Sequence, residues 1–163
     1  MNSYEIGEYK MILIRKLIQN DTIVSLLDPA KSVQYADDLI YTSIFPYNRI
    51  PDTEQEVKTY VTIRCNVPNV VRKNDLVRDV TVIIRVYTHE DLMCVSGRNG
   101  TRIDCLAAEI DRVLNETMEL GIGPLTVVSN TEHVLDSRHH YRELLLKTQS
   151  INNDRSGVHQ WMN

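Results

Sequence analysis

The chain has 163 residues, 42% of them hydrophobic and 25% charged. That length and composition predict one self-sufficient globular domain and exclude a wholly disordered chain or a small scaffold dependent on disulfides. A net charge of −4 with neutral histidine argues against a dedicated nucleic-acid binder, which carries a basic excess. Three widely spaced cysteines, Cys65, Cys94 and Cys105, fit a reducing compartment such as the cytosol. No apolar run approaches the roughly 18 residues of a membrane span, and the run at 11–14 is too short for a signal peptide.

Between Tyr4 and Asn20 the residues Ile6, Tyr9, Leu13 and Leu17 share one helical face, widened by Met11, Ile14 and Ile18. Asn20 and Asp21 stop that helix and cap a shorter one carrying Ile23, Val24, Leu26 and Leu27, which Pro29 ends. From Pro29 to Gln55 the periodicity fades into a long irregular connection, within which 36–44 reads as either a short helix or a strand. Val57, Thr59, Val61, Ile63 and Cys65 then alternate with polar residues and predict a strand. Val80, Val82, Ile84 and Val86 predict a second, antiparallel to the first. The segment Asn66 to Val77 between them is too long for a tight hairpin and is expected to project.

Thr101 is placed to cap an amphipathic helix with Ile103, Leu106, Ala107, Ile110, Val113, Leu114 and Met118 on its apolar face, and Gly121, Gly123 and Pro124 are expected to close it. A short strand over 125–128 and a last strand over 141–148 complete the domain. The fold class expected is α+β. A mostly antiparallel sheet of about four strands is covered by two main helices in the order α-β-β-α-β-β. Residues 1–150 form the single domain and 151–163 a loose polar tail.

Few side chains offer chemistry. His133, His139 and His140 stand near Cys94 and Cys105 in no zinc-type spacing and read as loop histidines. Cys65 and Cys105 fall on inward faces, which leaves Cys94 as the reactive thiol. Asp75, Asp79, Glu90 and Asp91 include enough carboxylates to hold a divalent cation, although strand-end carboxylates are ordinarily just solvated. Gly97 and Gly100 lack the phosphate-loop lysine and read as a turn before the helix, flanked by Arg98 and Arg102, which read by default as surface charges and otherwise as pairing with a partner's carboxylate. No catalytic, cofactor or metal-ligating residue is assigned. The segment Ile44 to Pro51 spends Phe45, Tyr47 and two isoleucines, with Arg49 between them, on an irregular stretch. It either folds back on the core or contacts another subunit.

Four features carry a resemblance: Ile-Phe-Pro-Tyr-Asn-Arg-Ile-Pro at 44–51, the long strand pair, Gly-Thr-Arg-Ile-Asp at 100–104 opening a helix, and Gly-Ile-Gly-Pro at 121–124. Through them the chain resembles tail-terminator and neck proteins of tailed bacteriophages over most of its length. The resemblance implies a structural virion protein at the neck, made in the host cytoplasm, that forms a homo-oligomeric ring, hexameric in tail terminators. Such a ring caps the tail-tube protein and docks to a head-completion or connector protein, while DNA passes through its lumen without specific binding and no membrane is involved. The residues expected at its interfaces are Phe45, Tyr47, Arg49, Ile50, Val70, Val71, Arg72, Lys73, Arg98 and Arg102. The readings set against it are a small metal-dependent nuclease acting through Asp75, Asp79, Glu90 and Asp91, and a non-viral adaptor domain.

Overall fold

The structure, a computed structural model, describes residues 5–50, 56–67 and 77–151. Helix α1 (Glu5–Ile18) has Glu5 and Glu8 in its first turn and Arg15 and Lys16 in its last, which suits the helix dipole at both ends. It buries Leu13, Ile14, Leu17 and Ile18. Asn20 then leaves helical geometry, and its side-chain oxygen accepts from the Ile23 N–H at 3.0 Å, so helix α2 (Asp21–Leu27) starts afresh at an angle. Asp28, just before Pro29, ends α2, and its carboxylate accepts from Ser32 Oγ (2.7 Å) and the Val33 N–H (3.0 Å) to shape the turn that follows.

The stretch of fading periodicity holds both of the alternatives the sequence left open. Ala36–Leu39 is a 3-10 turn. Tyr41 then takes a left-handed conformation (φ 64°), and the chain doubles back into a two-residue strand, β1 (Ile44–Phe45). This strand lies parallel to β2 (Thr59–Asn66), with Ile44 opposite Val61 and Phe45 opposite Thr62. It brings the sheet to five strands instead of about four, since so short an element has no period to read. Val57, expected inside the strand, lies before it and is exposed.

Strand β3 (Val77–His89) pairs antiparallel with β2, Val61 opposite Val86 and Ile63 opposite Ile84. The projecting loop expected between them lies, from 68 to 76, outside the described residues. Helix α3 (Arg102–Leu114) opens on a capping box: the Thr101 N–H donates to the Asp104 carboxylate at 2.9 Å and the Asp104 N–H donates back to the Thr101 hydroxyl oxygen at 3.3 Å. It stops at Leu114, because Asn115 is extended and Glu116 left-handed, so Met118 is not on the helix but exposed beyond it. Gly121 therefore caps no helix. At φ +97° it lies against the last strand, where a Cβ would come within 2.1 Å of the Gln149 carbonyl oxygen. Its neighbour, the Ile122 N–H, donates to that carbonyl at 2.8 Å.

Strands β4 (Thr126–Val134) and β5 (His139–Ile151) are both longer than their apolar runs and pair antiparallel, with a bulge between Val127 and Ser129. Strand order is β1-β2-β3-β5-β4, with β3 and β5 paired along their whole lengths at the centre. Leu13, Ile14 and Leu17 of α1, Ile23 of α2, and Leu106, Ile110 and Leu114 of α3 form one core with Val61, Ile63, Val82, Ile84, Val86, Leu144 and Leu146 of the sheet. The α+β class holds, as a mixed sheet with its helices packed against one face.

Candidate assembly surfaces

The sheet face turned away from the helices is set by register. Tyr60, Tyr87, Tyr141 and His133 occupy one row across β2, β3, β5 and β4. With Phe45 of β1 they form a continuous line of rings whose successive centroids lie 5.8, 5.0, 5.0 and 4.9 Å apart. Tyr60 and Tyr87 are fully buried, and burial pushes both phenols above their ordinary pKa.

Tyr87 lies among Tyr60, Tyr141 and Leu135, and Tyr60 is covered by the segment after β1. Its position is held by Lys10 Nζ, which donates to the Pro46 carbonyl (2.7 Å), and by Arg49, whose guanidinium lies 4.8 Å from the Phe45 centroid and 5.3 Å from that of Tyr60. Arg49 also bonds Glu56 at 2.9 Å, a pairing that raises its pKa. Beyond Glu56 the buried His139 anchors the same segment, with Nδ1 3.0 Å from the Asp136 carboxylate and Nε2 3.1 Å from the Glu56 carbonyl oxygen. The Arg138 N–H, helped by that of His139 and by the ring, holds the Asp136 carboxyl below its usual range.

Of the interface residues expected from sequence, Phe45 is therefore a core residue, 5% exposed, because β1 turns it onto Tyr60. Arg49 is occupied within the subunit. Tyr47 and Ile50 are exposed, Ile50 at 66%, as is Tyr41, whose ring centroid is 6.5 Å from that of Tyr47, so three exposed apolar side chains lie in the segments flanking β1. Arg102 is a correction of a different kind. It is 7% exposed and spends its guanidinium inside, donating to the carbonyls of Leu92 (2.6 Å), Leu26 (2.8 Å) and Cys94 (3.5 Å). It thus caps the last turn of α2 from the first turn of α3, and burial lowers its pKa. Arg98 is exposed in the turn before α3, and Val70, Val71, Arg72 and Lys73 lie outside the described residues.

The carboxylates proposed for a cation do not converge. Asp79 and Glu90 sit at opposite ends of β3, roughly 35 Å apart at about 3.3 Å per residue. Asp75 lies outside the described residues, among which no group of three metal-ligating side chains forms. His133 belongs to β4, and His139 and His140 to β5, instead of to loops. Cys65 and Cys105 are buried, burial pushing the Cys65 thiol up to about 11, and Cys94 is exposed, as expected.

At the far end of the sheet, sequence reasoning found only the start of the strand, at 125–128, and not its length or its place at the edge. Strand β4 is the sheet's last strand, and Val128 and Val134 are more than half exposed on it. The helix-side face of this end is tied down by Arg142, which bonds Asp104 (2.6 Å), Asn130 (3.0 Å) and Glu132 (3.4 Å). These bonds, with those from Thr101, outweigh the effect of burial and hold the Asp104 carboxyl below its usual range. The signal for β4 was present in Thr126–Val134 but weak, because most of its side chains face solvent and its alternation is not one of hydrophobicity.

Curated proteins give no match to the chain. A family model named YomW, a name from an SPbeta-like Bacillus phage gene cluster, matches residues 14–148. That span takes in α2, α3 and β1 to β4 entire, with most of β5 and the last turn of α1. The chain accordingly belongs to the phage-associated YomW family.

Proposed function

We propose that the chain is a structural protein of the phage particle, a neck subunit that joins copies of itself into a ring, ends the tail tube and links tail to head. The observation that carries this reading is a pair of unlike apolar surfaces at opposite ends of one sheet. Tyr41, Tyr47 and Ile50 lie beside β1, and Val128 and Val134 lie on β4, about 19 Å away across the sheet at about 4.8 Å per strand. Surfaces that differ and face apart join head to tail, and head-to-tail contacts make a ring when their rotation closes. The acidic balance of the chain suits a lumen through which DNA slides without being held, and membership in a phage-associated family agrees.

The test is to mix the purified chain with tail tubes of the phage that encodes it and to examine the tubes by electron microscopy. Rings at tube ends are expected, and they should disappear with Tyr47→Ser combined with Ile50→Asp. Tube ends that stay bare with the wild-type chain would overturn the reading.

A further inference from the structure

We infer that, before any ring forms, β4 pairs antiparallel with β4 of a second copy across a twofold axis at Thr131. The direction of the backbone groups follows from the register. The Val61 N–H points out of the sheet's main ladder to the Ser43 carbonyl (2.8 Å), so Tyr60 and Thr62 turn toward β3. Carried across the paired strands, that alternation turns Arg142 and Leu144 toward β3, Tyr141 and Glu143 toward β4, and Thr131 and His133 back toward β5. Asn130, Glu132 and Val134 therefore present their N–H and C=O groups outward. No named strand pairs with β4 on that side among the described residues, but its start is covered there: the Val127 N–H donates to Asn115 Oδ1 (3.0 Å), and Leu125 just before the strand is bridged to Thr117.

The two ends of the sheet are protected differently. At the β1 end the strand is two residues long and Pro46 follows it, both ordinary devices against added strands. The nine residues of β4 carry one such device, the bulge between Val127 and Ser129, but contain neither proline nor lysine, and their one carboxylate, Glu132, is engaged by Arg142. Beyond the bulge, from Ser129 to Val134, the edge is uncovered among the described residues, and its own sequence supplies a partner. With the twofold axis at Thr131, Asn130 comes opposite the partner's Glu132 so that the outward groups of both bond each other. Thr131 meets the partner's Thr131, Ser129 meets the partner's His133, and the exposed Val128 comes level with the partner's Val134. Moving the axis to Glu132 would set two carboxylates face to face, which selects the Thr131 register. This pairing goes beyond the ring reading, because it hides in the free subunit one of the two ends that a ring would use.

Cross-linking tests it in a Cys94→Ser background, where the remaining native thiols are buried. In the inferred register the two Thr131 Cα atoms lie about 4.5 Å apart, within disulfide range, whereas each Asn130 faces Glu132. Under a mild thiol oxidant, Thr131→Cys should form a covalent dimer roughly tenfold faster than Asn130→Cys. Glu132→Pro removes an outward N–H that β5 does not use, a change an edge strand tolerates. It should abolish both the cross-link and the dimer seen by sedimentation while leaving circular dichroism unchanged. The Tyr47→Ser and Ile50→Asp pair should leave cross-linking intact, so that failure of the ring and failure of this dimer are read separately. Equal cross-linking at 130 and 131, or a monomeric wild-type chain and an uncross-linked Thr131→Cys variant, would overturn the inference.

Discussion

Replacing Arg102 with Met keeps most of the side-chain volume between α2 and α3 but removes every donor. The Leu92 and Leu26 carbonyls then lose bonds of 2.6 and 2.8 Å, and the 3.5 Å contact to Cys94 is too long to count for much. Hydrogen bonds from a charged donor contribute about 1.5–3 kcal/mol each, so two give about 3–6 kcal/mol. Against that, Met relieves the cost of holding a guanidinium that is 7% exposed and has no carboxylate among its bonded partners. A net loss of about 3 kcal/mol is expected, which in a chain of this length lowers the melting temperature by roughly 6–12 °C. Arg102→Lys should fall between, because a point charge on a flexible stem cannot span the same carbonyls. Arg98→Met, on the exposed turn, should change stability by no more than about 0.5 kcal/mol. Urea titrations followed by circular dichroism measure all three. If Arg102→Met matches Arg98→Met, the brace between the helices contributes nothing and the interior role assigned to Arg102 is wrong.

Two further outcomes follow from the same structure. Gly121→Ala must place a Cβ against the Gln149 carbonyl at a positive φ, so it should cost about 1–3 kcal/mol in thermal unfolding, whereas Gly123→Ala, with open space around it, should not. Asp28, Asp104 and Asp136 are all held below the ordinary carboxylate value of 3.8. Their contribution is therefore fully present above that value and is lost as the pH falls through their lower native values. Denaturation midpoints should be flat above about pH 5 and drop below about pH 4, with a smaller drop in Asp104→Asn. A midpoint that rises on acidification would refute the assignment.

Local periodicity made α1, α2, α3 and the cores of β2, β3 and β5 legible, since each buries one face and side-chain direction repeats every 2 or 3.6 residues along such elements. The stop at Asn20 and the start at Thr101 were equally plain, because a cap is a bond within a few residues. What could not be read depends on partners distant in the chain. Phe45 looked like a loop aromatic until β1 paired with β2 and set it against Tyr60. Arg102 looked like surface charge because the Leu26 carbonyl that it caps lies 76 positions away. The tyrosines at 60, 87 and 141 each stand on the polar side of their strand, and only the register of three strands stacks them into one row. Composition, charge and spacing argued against nucleic-acid and metal chemistry and directed attention to surfaces. Which surfaces are free was decided by tertiary structure, because a sheet edge exists only once the strand order is known.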